Sequence, residues 1–337
     1  MLNNILYIDK QAMLINRYSS YIILLIILYL LLFNDLICKE NQGINVDSAK
    51  IIIEQQKTET NFDKVWKGIK SSFHNLNPKD SSKQTMLEDF SGNIGIQIPL
   101  KKSEPYIYER FQTQGEPSNN LNLNATIRWN PISYYYLYLT FYKYVQPELQ
   151  APWHPDFAYS FGYEDWNPYT FSLTYSNYQG NRLLPKSERD EVFTRFLEGT
   201  FSFGWKFPTP VIIENILCHH YSSNVMHQLC LNTTPQYYDL KTNSKLNWKN
   251  SISLETKYYI YSYYFIRLNC FYYPNSEKQQ QWDPDFTYGF GYFDWHYGTF
   301  SIQYNNYSGN RYFWSKKKTD SGKFVDGFFS VTWNWGF

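Results

Sequence analysis

The C-terminal stretch alternates strictly, with Phe329, Val331, Trp333, Trp335 and Phe337 at every second position and Ser330, Thr332, Asn334 and Gly336 between them. A period of two predicts a β-strand with one apolar and one polar face. The pattern recurs in Phe300, Ile302 and Tyr304 against Ser301, Gln303 and Asn305, and in Phe171, Leu173 and Tyr175 against Ser172 and Thr174. Phe201, Phe203, Trp205 and Phe207 oppose Thr200, Ser202, Gly204 and Lys206, while Phe286, Tyr288, Phe290 and Tyr292 oppose Thr287, Gly289 and Gly291. Two segments depart from this period. Phe62, Val65, Trp66, Ile69 and Phe73 recur at helical spacing, predicting one short amphipathic helix on an otherwise polar extension, residues 39–88. The run Tyr21 to Phe33 follows Arg17 and reads as the apolar centre of a secretory signal, residues 1–38, with Met13 as a second possible start. Its thirteen residues are short for a spanning helix.

The strands belong to a duplicated unit. Residues 153–182 align without a gap on residues 282–311, with 19 of 30 positions identical at an offset of 129. The match extends upstream to ISYYYLYL and YSYYFIRL, and FLEGTFSFGWKF at 196–207 matches FVDGFFSVTWNW at 324–335. Equivalent loops of two such copies should emerge on the same side, which requires an even number of strands in each. Five clear strands per copy therefore imply a sixth: residues 92–100 in the first copy, and a weakly patterned stretch between 211 and 231 in the second. Strands near 247–256 and 258–271 complete the second copy's first hairpins. Twelve strands result, with ten as the runner-up, over repeats at 89–208 and 209–337.

Five bulky residues in a row on one face, as at the C-terminus, are hard to fit into a water-soluble core at near-crystalline density. Hydrocarbon imposes no such fit. The expected fold is therefore an all-β, transmembrane, antiparallel up-and-down barrel, with the aromatic face in lipid and the small polar face around a lumen. Trp129, Trp153, Trp166, Trp282, Trp295 and Trp314 near strand ends would form interfacial girdles. Composition agrees: one residue in five is aromatic, yet no further long apolar run exists to build a bundle of membrane helices. A formal charge of +1 argues against nucleic acid as a partner.

The terminal segment FFSVTWNWGF, alternate aromatics ending in Phe, resembles the assembly signal of Gram-negative outer-membrane β-barrel proteins. The resemblance covers roughly residues 89–337. It implies a porin-like barrel whose partners are outer-membrane lipid, lipopolysaccharide and the barrel-assembly machinery, with Phe329, Val331, Trp333, Trp335 and Phe337 as the lipid-facing signal. The N-terminal extension would then be periplasmic.

Within such a wall, parity points Tyr134, Tyr136, Tyr138, Tyr263, Arg267 and Gln303 into the lumen, the lining of a narrow passage for small polar solutes. A non-conducting surface barrel presenting loops 101–120 and 309–323 is the alternative. Asp156, Asp165 and Arg182 recur as Asp285, Asp294 and Arg311 and are expected to build turns or meet lipid phosphate at the rim. Cys218 and Cys230 could close a disulfide in an oxidising compartment, whereas Cys270 reads as lipid-facing. No metal-ligand spacing and no cofactor motif is present. A wall hydrolase would need a histidine beside a serine, and no histidine falls in a clearly patterned strand, so an enzyme is not expected.

Overall fold

The computed structural model describes residues 61–75, 90–102, 120–132, 134–150, 154–165, 167–178, 180–183, 195–209, 224–239, 242, 244–260, 263–307, 309–315 and 322–336. The chain divides into two compact units, Met1–Trp66 with Pro210–Ile216, and Lys67–Thr209 with Leu217–Phe337. Of the first, only the opening of a helix, α1 (Asn61–Asn75), is described. The signal segment, Cys218, Trp153, Trp166 and Phe337 lie outside the described residues.

The second unit is a closed barrel of twelve strands: β1 (Phe90–Pro99), β2 (Asn122–Ile132), β3 (Tyr135–Tyr144), β4 (Phe157–Glu164), β5 (Phe171–Asn177), β6 (Thr200–Pro208), β7 (Asn224–Asp239), β8 (Ser244–Ile260), β9 (Tyr264–Tyr272), β10 (Phe286–Tyr292), β11 (Phe300–Asn306) and β12 (Phe328–Gly336). Each strand pairs antiparallel with its neighbours in sequence, and β1 closes on β12. Closure leaves no unpaired edge, as hydrocarbon demands. The ten-strand alternative therefore falls.

Register keeps like with like. Ile94, Ile96 and Ile98 stand opposite Trp333, Val331 and Phe329, while Phe203 stands between Leu173 and Leu231. The apolar face points outward and most of it is uncovered: Phe300 is 61% exposed, Ile302 52% and Trp333 40%, while Tyr163, Phe171, Tyr175 and Tyr304 on the same face are covered by neighbouring segments. The opposite face is polar and enclosed, with Ser172, Ser253, Ser301, Asn305, Ser330 and Asn334 buried. A soluble sandwich would show the reverse.

At one end of the barrel, the turn end, β2–β3, β4–β5, β8–β9 and β10–β11 are joined by short connections, with the longer β6–β7 connection at the same end, while the other, the loop end, carries the remaining connections, all long except β7–β8. Trp129, stacked on Phe90 at 6.0 Å, and exposed Trp295 stand at the turn end; Trp282 and Trp314 stand at the loop end. At Gly162 and its equivalent Gly291 the chain takes φ 159° and 157°, and a Cβ would strike the carbonyl oxygens of Leu173 and Ile302 at 2.2 and 2.3 Å. Both copies thus need glycine there to let adjacent strands approach.

The second copy's first hairpin differs from the sequence expectation. β7 begins and ends later than residues 211–231, and β8 runs through Tyr258 to Ile260 while β9 starts at Tyr264, so the expected strand 258–271 is divided between two strands. β7 and β8 pair with each other beyond the last residues that their outer neighbours reach, Thr233 and Ile252, and so rise as a two-stranded flap at the loop end. Pro235, which has no N–H to give, is missing from an otherwise constant register, and the opposite residue, Trp248, adopts φ 59°. Lys249 clamps the flap to Asp283 at 2.8 Å and Lys245 to Glu198 at 2.6 Å.

Candidate functional site

The inward face carries the polar chemistry. Among the described strand residues below the flap, the charged side chains on it are Arg128, Lys206, Lys257 and Arg267 against Glu164 and Glu255. Buried Lys206 donates to Glu164 Oε1 at 3.1 Å and to the Asp165 carbonyl at 2.8 Å. Breaking such an enclosed pair costs about 3–5 kcal/mol, because the remaining charge is stranded. Lys257 is ringed by Tyr259, Phe265 and Phe293, with its Nζ 4.7, 4.8 and 5.3 Å from their centroids. Register sets Arg267 directly across from Lys257. Arg267 donates to Asn305 Oδ1 at 2.9 Å and to the Tyr307 hydroxyl.

Tyr136 and Tyr138 lie on this face, their rings 4.9 Å apart, with the Arg128 guanidinium 5.2 Å over Tyr138. Gln303 stands there too, between Gly291 and Ser330. Tyr134 and Tyr263 do not line the lumen with them: each sits in a turn, Tyr134 at φ 67°, and packs against the outward residues Tyr163 and Tyr292 respectively. The strand period breaks at the turn, where the β2–β3 register shifts between Trp129 and Ile132, so parity cannot be counted through it. Cys230 lies inside β7 on the inward face beside Gly204, and Cys270 lies outward beside Leu268.

The repeated acids and arginines form the same network twice. Asp156 receives Arg182 at 3.1 Å, Gln150 at 2.8 Å and the Leu183 N–H at 3.2 Å. Asp285 receives Arg311 at 3.1 Å, Gln279 at 2.7 Å and the Tyr312 N–H at 3.0 Å. Arg311 also donates to the carbonyls of Asp283, Gln280 and Gln281. Between them, Tyr175 and Tyr304 each donate at 2.6 Å to a carbonyl of the opposing loop, Phe196 and Phe324, and Asn177 and Asn306 tie the same loops through Arg195 and Lys323.

At the turn end, Asp165 caps the Asn167 N–H at 2.9 Å, and Asp294 caps that of His296 at 3.0 Å. Thr170 and Thr299 close the two turns identically. The His296 N–H holds the Asp294 carboxyl below its usual range. In the loop before β4, burial and then the Arg182 charge push His154 down to about 4, its ring stacked 5.6 Å from Tyr144. These networks tie together the loops and turns at the two ends of the barrel.

One histidine was not visible as a strand residue. His227 lies in β7 on the outward face, with its Nδ1 2.9 Å from Thr256 Oγ1 and its Nε2 3.2 Å from Thr209 Oγ1. Both nitrogens lie within reach of hydroxyls, and among the described residues no hydrogen bond joins the ring to a carboxylate or amide that would orient it as a base. Its signal was the alternation of His227, Leu229 and Leu231, diluted by Gln228, Asn232 and Pro235.

An apolar wall outside, a polar and charged face inside and complete closure define a membrane-spanning β-barrel. No family model matches the chain, and no curated protein matches it. Among solved structures, one that this chain resembles is an outer-membrane channel from Pseudomonas putida F1, at 9% identity and a TM-score of 0.30, over 77% of this chain and 99% of that one. A likeness so distant does not bear on function.

Proposed function

We propose that this protein is an integral outer-membrane barrel acting as a porin-like passive channel for small polar solutes. The carrying observation is the inward face: below the flap, four cationic and two anionic side chains, set among amides, hydroxyls and a few aromatic rings such as Phe265, occupy the interior of a fold whose outer wall is predominantly apolar. Charged groups retained at that position are stable when water shares the space with them. A barrel serving only as a wall could fill its interior with apolar side chains, as soluble cores are filled. Twelve strands give a bore between the filled eight-stranded barrels and the wide porins of about sixteen. Assembly machinery, lipopolysaccharide and a periplasmic N-terminal extension follow from the same reading.

Liposome swelling tests it. Vesicles bearing the refolded protein should swell in isotonic solutions of small sugars or amino acids and not in those of a large oligosaccharide. Vesicles that stay inert with correctly folded barrel would favour the non-conducting surface protein instead.

A further inference from the structure

The two copies differ at the turn end of their outer wall. In the first copy, Phe171 and Tyr163 are buried, at 8% and 2% exposure. Their equivalents, Phe300 and Tyr292, stand uncovered or half-covered, Phe300 at 61%. The difference is the segment Lys67–Asn75. Gly68 approaches the Tyr169 backbone so closely that a Cβ would lie 2.7 Å from its atoms. One turn on, Ser72 is fully buried: its Oγ accepts the Phe171 N–H at 3.2 Å and its carbonyl accepts the Tyr163 hydroxyl at 3.4 Å. Phe73 meets the Phe171 ring edge-on at 5.4 Å. Small residues at i and i+4 thus seat the segment Lys67–Asn75 on the outside of the wall, at the level of the turn-end aromatics.

Beside this seat the segment keeps apolar side chains uncovered. Phe73 is 64% exposed and Ile69 half-exposed, on the side next to the seated face; Lys67 and Lys70 are exposed on the side away from it. We infer that Lys67–Asn75 is an interfacial anchor: it lies along the turn-end leaflet, inserts Ile69 and Phe73 among the acyl chains beside Phe171, and sets Lys67 and Lys70 against acidic lipid headgroups. The occupant is lipid because the exposed edge is continuous with the apolar wall, and the adjoining cations match an anionic surface. This rests on the membrane reading above.

The experiment uses the full mature chain with its cysteines replaced by Ser, refolded into vesicles of zwitterionic lipid with phosphatidylglycerol. A bimane label is placed singly at Phe73→Cys, Ile69→Cys or Ile302→Cys, the last on the barrel wall. Brominated acyl chains should quench the labels at positions 73 and 302 strongly, and aqueous iodide should quench neither. Quenching by bromolipid at 302, but iodide quenching at both 73 and 69, would overturn the anchor and leave the barrel intact. Loss of bromolipid quenching at 302 would overturn the membrane reading and the anchor with it. Omitting phosphatidylglycerol should reduce bromolipid quenching at 73 while leaving 302 unchanged; equal quenching at 73 in both mixtures would overturn the headgroup assignment.

Discussion

Reversing one lumen charge should change which ions the barrel passes. Arg267 faces inward, held by Asn305 and Tyr307, and lies across from Lys257. One unit charge about 7 Å from a permeating ion contributes about 0.6 kcal/mol in water. At 0.1 M salt, screening leaves roughly half of that. Arg267→Glu changes the charge by two units, or about 0.6 kcal/mol, with opposite sign for anion and cation, so the permeability ratio should shift roughly eightfold toward cations. Arg267→Gln should shift it roughly threefold, half as far in free energy. The assay is the zero-current potential across a potassium chloride gradient in a planar bilayer. Wild type should favour chloride, given four inward cations against two anions among the described strand residues below the flap. A ratio unmoved in both variants, with channels still open, would refute a permeation path past Arg267.

Three other outcomes follow from the geometry. Arg311→Met removes the bond to Asp285 and those to three carbonyls from a buried site, and should cost about 3–5 kcal/mol in urea unfolding from micelles; a loss under about 1 kcal/mol would contradict the clamp. Ile302→Arg, on the exposed outer wall, should cost about 2–4 kcal/mol, while Gln303→Arg next to it, facing inward, should be nearly neutral by the same measurement. Equal costs would mean the faces are misassigned. His154 has a folded pKa of about 4, below its unfolded value, so between the two the unfolded chain binds more protons and stability falls as pH drops. The loss from pH 7.5 to 4.5 should approach ~3 kcal/mol, and His154→Phe, which keeps the stack on Tyr144, should abolish it.

The barrel was legible because lipid accepts any bulky residue, leaving a clean period of two in strands such as β12. Duplication then supplied the strand count, since equivalent loops must share a side. Legibility failed where other physics entered. In β7 the outward position of His227 interrupts the apolar series, and the last residues, from Thr234 to Asp239 and including Pro235, belong to a flap beyond the wall that needs no apolar face. Tyr134 and Tyr263 continue a run of tyrosines in the sequence, yet the turn geometry rotates each out of the lumen series. The inward position of Lys206 was readable from alternation with Trp205 and Phe207, but its pairing with Glu164, 42 residues away, depends on strand adjacency that no local pattern encodes. The seat of α1 was equally hidden: helical spacing marked Ile69 and Phe73, while Gly68 and Ser72, which make the contact, read as filler.

Single-channel recording of the refolded barrel in a planar lipid bilayer tests the water-filled lumen most directly. Discrete, reproducible current steps are expected from protein that shows the folded electrophoretic mobility. A silent bilayer with the same folded protein inserted would contradict the channel.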